Sequence, residues 1–166
     1  MTGSTVTLNR AVQVGIVVRD LERTTELLAK LFGMGPFRFI EWPNRPDSKY
    51  WYRGEEQSIE RRQAFARAGN LELEFIQPVE GDGNAYKDFL EQKGSGLHHV
   101  LFEIDDMDAA VTSLTAFGVK PLQAGTGIRP VTQWTLLDTQ DLTGFLVDLR
   151  HVAPGRDGTS IPEEST

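Results

Sequence analysis

The sequence predicts an α+β fold: two βαβββ modules whose strands make one cupped mixed sheet. Three observations predict it. The segment 12–21, Val-Gln-Val-Gly-Ile-Val-Val-Arg-Asp-Leu, matches the segment 98–107, His-His-Val-Leu-Phe-Glu-Ile-Asp-Asp-Met, without a gap and at a constant offset of 86 positions. The segment 69–75 matches 143–149 at an offset of 74, so the second copy has lost about a dozen residues. Each copy opens on an alternating apolar run that ends at Asp and leads into an amphipathic stretch.

The elements follow in order. Residues 12–18 are mostly β-branched and free of proline, which predicts a strand. Asp20 is placed to cap a helix that carries Leu21, Thr25, Leu28 and Leu31 along one side. Gly33 and the Gly35-Pro36 pair stop that helix. A strand at 37–42 follows, then a polar, aromatic-rich stretch at 43–60 that reads mainly as a lid loop with room for a short strand. Residues 62–68 and 71–77 form a strand pair turning at Gly69 and Asn70. A linker over 79–96 carries a helix at 85–92. The second module repeats the order: a strand at 97–104, then a helix capped by Asp106 with Met107, Val111, Leu114 and Phe117 on its inner side. Gly118 ends that helix. Strands at 119–123, 131–137 and 145–150 complete the copy. The domain plan is an extension at 1–9, a first module at 10–78, the linker at 79–96, a second module at 97–151 and a flexible tail at 152–166 rich in Gly, Pro, Ser, Thr and acids.

Composition narrows the function. A chain of 166 residues with 25% charged and 39% hydrophobic residues is long enough for one shared core. Its net charge of −7 disfavours nucleic acid or an anionic membrane as partner, because both need a basic face. The absence of cysteine excludes disulfides, thiolate metal sites and a thiol nucleophile. There is no apolar run of membrane-spanning length and no apolar signal core at 1–9, so a cytoplasmic protein is expected.

Strand alternation locates the chemistry. In the first strand Val12, Val14, Ile16 and Val18 pack under the helix, and Gln13 and Gly15 face away. In the first strand of the second copy, His99, Leu101 and Glu103 face away, and His98 lies on the packed side. Glu72 and Glu74 face away in the last strand of the first module, as do Leu146, Asp148 and Arg150 in the last strand of the second. Under the repeat, Gln13 pairs with His99 and Glu74 with Asp148. If the sheets close into one cup, an amide, an imidazole and two carboxylates converge. That set of hard oxygens with one nitrogen suits Mn, Co, Ni, Zn, Fe or Mg, and four protein donors leave positions open for substrate. The bland alternative is a solvated strand face with a structural histidine. Trp51, Tyr52 and Trp134 are candidates for binding a flat substrate. Arg53, Arg61, Arg62 and Arg67 form a basic group whose ordinary reading is a solvated strand edge.

The segments Val-Gln-Val-Gly-Ile-Val-Val-Arg-Asp-Leu, Leu-Glu-Leu-Glu-Phe-Ile-Gln-Pro, Gly-Leu-His-His-Val-Leu-Phe-Glu-Ile-Asp-Asp-Met and Gly-Phe-Leu-Val-Asp-Leu together resemble the vicinal oxygen chelate superfamily. Glyoxalase I, extradiol dioxygenases, bleomycin-resistance proteins and epimerases belong to it. The likeness spans roughly residues 11–151, and the Gly-Leu-His-His segment is most similar to the methylmalonyl-CoA epimerase branch. The resemblance implies a glyoxalase-like fold with metal ligands at Gln13, Glu74, His99 and Asp148. Of these, His99 matches the epimerases directly; Gln13 stands where they have His, Glu74 where they have Gln, and Asp148 where Glu is usual. The epimerases' glutamate base falls near Gln63, which cannot accept a proton, so Glu72 or Glu103 is left to move it.

The leading expectation is a divalent-metal-dependent lyase or isomerase acting on a small substrate with neighbouring oxygens through an enolate, as a homodimer. The alternatives are a non-catalytic small-molecule binder and a metal-free acid–base enzyme on the same scaffold.

Overall fold

The computed structural model describes residues 6–80, 83–128 and 132–152. The chain runs β1 (Ala11–Val17), α1 (Leu21–Phe32), β2 (Arg38–Trp42), β3 (Tyr50–Tyr52), β4 (Glu55–Glu56), β5 (Glu60–Ala68) and β6 (Leu71–Glu80). It continues through α2 (Ala85–Lys93), β7 (Gly96–Ile104), α3 (Met107–Ala116), β8 (Pro121–Thr126), β9 (Thr132–Leu137), α4 (Gln140–Thr143) and β10 (Leu146–Val152). The expected tail lies outside the described residues apart from its first position, as do residues 1–5 of the extension, 81–82 of the linker and Val131.

Local sequence fixes the helices in matching ways. The Asp20 carboxylate accepts from the Arg23 amide at 2.9 Å, and the Asp106 carboxylate accepts from the Ala109 amide at 2.9 Å. These two caps stand at corresponding places in the repeat. Gly33 ends α1 in a left-handed conformation at φ 65°, which a side chain would resist.

All ten strands form one sheet in the order β2-β5-β6-β1-β7-β10-β9-β8-β3-β4. The two copies meet at its centre, where β1 pairs antiparallel with β7. Each first strand also pairs in parallel with the last strand of its own copy, β1 with β6 and β7 with β10. The stretch read mainly as a lid loop holds the short strand it had room for, but in an unforeseen place. Its strand β3 leaves the first copy and pairs with β8 at the far edge of the second, setting Tyr50 opposite Gly125 and Tyr52 opposite Gln123. The first copy thus lends the second an edge strand, which β4 extends.

One face of the sheet carries α1 and α3. Leu21 of α1 packs with Val18, Ala64 and Phe75, and Met107 and Ala110 of α3 pack with Val147 and Leu149. Two residues assigned to the inner helix sides are corrected: Leu31 is 63% exposed and Phe117 is 66% exposed. Leu31 stands in the last turn of α1, and Phe117 follows the last residue of α3 as its C-cap. The other face is the more enclosed. There α2 lays Tyr86 against Val17 and Ile76, and Trp42, Tyr50, Ile59, Ala85, Trp134, Leu136 and Leu146 form a second core. A buried clamp ties the covering pieces together. The Gln123 side-chain oxygen accepts from the Tyr50 hydroxyl at 2.5 Å and from the Ala85 amide at 2.8 Å.

Candidate functional site

The four central strands place the polar residues in two rows across the covered face. One row reads Glu74, Gly15, His99 and Leu146, and the next reads Glu72, Gln13, Leu101 and Asp148. The internal repeat exchanges the rows, so that Glu74 corresponds to Asp148, His99 to Gln13 and Gly15 to Leu101. Glu72 has no polar counterpart, because its equivalent is Leu146.

His99 sits at the middle of this arrangement. Its ring lies over Gly15, which has no Cβ to obstruct it. His99 Nε2 is 3.5 Å from Glu74 Oε2 and 3.8 Å from Asp148 Oδ2, with all three side chains buried. The register slips between Gly15 and Ile16, where His98 forms a bulge in β7. The bulge breaks the strict alternation that placed His98 and His99 on opposite faces. Their Nδ1 atoms instead meet at 3.0 Å, and the His98 ring packs against Tyr86 and Phe89 of α2. Burial, aided by His99, holds the His98 pKa well below the usual imidazole value. Two Nδ1 atoms in contact share one proton, so each ring constrains the tautomer of the other.

The carboxylates differ in their surroundings. Burial raises Asp148 to about 6, opposed by His99 and reinforced by Glu74. Burial acts on Glu74 in the same direction, but His99, Arg61 and the amide of Gln63 together hold it below the ordinary range. Gln63 donates its side-chain amide to Glu74, so the residue at the expected base position supports an acid here. Glu72 is raised mainly by burial, and its Oε1 accepts from Gln13 Nε2 at 2.6 Å. The register explains that bond, since Gln13 stands opposite Glu72 and not Glu74.

These residues fit a divalent cation in chemistry, without forming a closed cage. His99 Nε2 and Asp148 Oδ1 are buried with no hydrogen-bond partner, the condition a cation would relieve. One imidazole and two carboxylates are suitable donors. Among the described residues, however, no three His, Asp or Glu side chains close around one metal position. Gln13 donates its Nε2 to Glu72, which leaves its amide oxygen as the atom it could add to the set.

The remaining expected residues divide. Glu103 lies four residues beyond His99 on β7 and pairs with Arg150 at 2.8 Å, away from the cluster. Tyr52 and Trp134 belong to the core on the covered face, whereas Trp51 lies on the opposite side of β3. Tyr52 donates to Asp88 of α2. Trp134 Nε1 donates to the Thr126 carbonyl at 3.0 Å. The basic group divides too. Arg53 is exposed over the Tyr52 ring and Arg62 pairs with Glu22, but Arg61 is buried inside the cup. Alternation in β5 could have singled Arg61 out, because it shares a face with Gln63. Tyr86 was also missed, since no periodicity in the linker tells which face of a distant sheet its helix will cover.

A family model for the glyoxalase, bleomycin resistance protein and dioxygenase superfamily matches residues 12–133. The chain belongs to this superfamily. Its relatives include the human mitochondrial methylmalonyl-CoA epimerase, 26% identical over 153 residues that cover 90% of this chain and 77% of that protein. An ethylmalonyl-CoA/methylmalonyl-CoA epimerase of Cereibacter sphaeroides is 31% identical over 94 residues, covering 53% of this chain and 67% of its own length. Among solved structures, the methylmalonyl-CoA epimerase of Mycobacterium tuberculosis aligns with a TM-score of 0.65 at 22% identity, over 91% of this chain and 93% of that one. The superfamily's curled mixed sheet is thus the fold found here. No helix among the described residues is long and apolar enough to cross a membrane.

Proposed function

We propose that this chain is an isomerase that shifts a proton at a carbon next to a carbonyl, acting on a small acyl thioester of the methylmalonyl-CoA type. The observation that carries the reading is the buried contact of His99 with Glu74 and Asp148, built from both halves of the repeat. The relatives named as epimerases supply the substrate class. His99, Glu74 and Asp148 would hold a divalent cation, with Gln13 as a fourth donor. Bound there, the cation would supply Lewis acidity beside the substrate carbonyl.

The proton falls to Glu72. It lies on the same face as Glu74, two residues away, and its raised pKa makes it a stronger base than an ordinary carboxylate. The Gln13 amide holds its Oε1, leaving the other oxygen to accept the proton. Glu103 is a weaker choice because Arg150 already engages it. Helix α2 covers this side of the site, with Tyr86 against His98 and His99.

The direct experiment follows deuterium from solvent into methylmalonyl-CoA, using protein loaded with Mn, Co, Ni or Zn. Incorporation at the carbon beside the thioester, lost in Glu72→Gln, is expected. No incorporation with any of these metals, together with no metal retained by the purified protein, would sink the reading.

A further inference from the structure

We propose that Arg61 forms a carboxylate-binding site inside the cup, one that anchors ligands carrying a free carboxylate one or two carbons from a carbonyl.

The strand alternation of β5 sends successive arginines to opposite sides. Arg62 points outward and pairs with Glu22 and Glu41. Arg61 points inward and is only 3% exposed. Its guanidinium carbon lies 4.4 Å from the centre of the Trp42 ring, 5.4 Å from that of Tyr86 and 5.6 Å from that of Trp134. Three aromatic rings from β2, α2 and β9 therefore surround the cation. Aromatic faces attract a guanidinium but accept none of its hydrogen bonds in the plane. Nε and Nη1 are both buried and have no hydrogen-bond partner among the described residues.

An unpaired buried cation is among the costlier arrangements a fold can carry. The aromatic rings surround the guanidinium and leave one N–H donor unused on each of two edges, Nε on its side edge and Nη1 on its end edge, both edges shared with Nη2. Either edge, Nε–Nη2 or Nη1–Nη2, matches a carboxylate bidentately, with two parallel hydrogen bonds. Among the described residues no carboxylate takes that place, since none forms an ion pair with Arg61. The neighbouring acid, Glu74, is instead held by Gln63 and His99.

Position sets the length of the ligand. Gln63 follows Arg61 on the same face, about 7 Å along the strand, and it bonds Glu74 of the central cluster. A carboxylate on Arg61 would leave a carbonyl one or two carbons away directed toward His99 and Glu74. The anion site stands on the geometry of Arg61 alone; its part in orienting a reacting carbon rests on the isomerase reading above.

The test uses full-length protein stripped of metal on a chelating resin, with malonate as probe and malonamide as its neutral counterpart. Malonate should raise the melting temperature and change the fluorescence of the tryptophans around Arg61, and malonamide should do neither. Arg61→Met should weaken malonate binding at least tenfold. Arg61→Lys keeps the charge but loses the paired donors, and it should also weaken binding about tenfold. Malonate binding no tighter than malonamide, or bound equally well by wild type and Arg61→Lys, would overturn the proposal. The two readings fail separately. Malonate binding that needs Arg61, without deuterium exchange in methylmalonyl-CoA, leaves the anion site and removes the isomerase. Exchange with an unchanged KM in Arg61→Met removes the anion site and leaves the isomerase.

Discussion

Gly15 stands directly across the β1–β7 seam from His99, and a methyl group at Gly15 would lie 2.0 Å from the imidazole Cε1. The imidazole occupies the space that a side chain would fill. Gly15→Ala must therefore push the ring away from Glu74 and Asp148. A destabilisation of about 1–3 kcal/mol is expected from the overpacking, with metal affinity falling alongside. Thermal melts and metal titrations of this variant check both effects; unaltered affinity would show that the ring position is not set by the missing Cβ.

Buried donors without partners predict a response to metal. A divalent cation that saturates the site 100-fold above its dissociation constant should stabilise the protein by about 2.7 kcal/mol. For a chain of this size that corresponds to roughly 5–10 °C in Tm. His99→Ala should abolish the shift, and a shift that survives in this variant would place the metal elsewhere.

Asp148 predicts a pH effect in the metal-free protein. Its carboxyl titrates at about 6 in the fold, against an ordinary value of 3.8. Between these values the folded chain keeps a proton that the unfolded chain has released. Stability therefore falls as pH rises through that window and stays lower above it. Asp148→Asn removes this loss. It should raise the Tm at pH 7.5 by an amount worth about 2–3 kcal/mol and match wild type below pH 4. A variant no more stable than wild type at pH 7.5 would contradict the assignment.

Glu72 and Glu103 should separate cleanly. Glu72→Gln is expected to stop proton exchange. Glu103→Gln, which weakens the mostly buried Arg150 pair, should retain it with a stability loss of about 1–3 kcal/mol. Loss of exchange in Glu103→Gln alone would reverse the roles given to the two acids.

Tyr50 holds β3 in place through its hydroxyl, which bonds Gln123 at 2.5 Å and the Gly83 carbonyl at 3.1 Å. Tyr50→Phe should cost about 1–2 kcal/mol. Amide exchange should rise most at β3 and its partner β8, as hydrogen-exchange mass spectrometry would show; uniform acceleration across the sheet would mean that the clamp is not local.

The repeat, the order of most elements and the side of each central strand that carries polar groups are legible in the residue pattern alone. These are local properties: alternation within a strand assigns Gln13, His99, Glu74 and Asp148 to one face, and Asp20 and Asp106 cap their helices through bonds three residues long. Everything that depends on which distant segments become neighbours came from the packed fold. Register turned Gln13 toward Glu72, a bulge brought His98 against His99, and strand β3 crossed to β8. Helix α2 then covered the polar face and buried Arg61 among three aromatic rings. Pairing register, sheet order and helix docking are set by the summed packing of residues far apart in the chain, and no short stretch of sequence contains that sum.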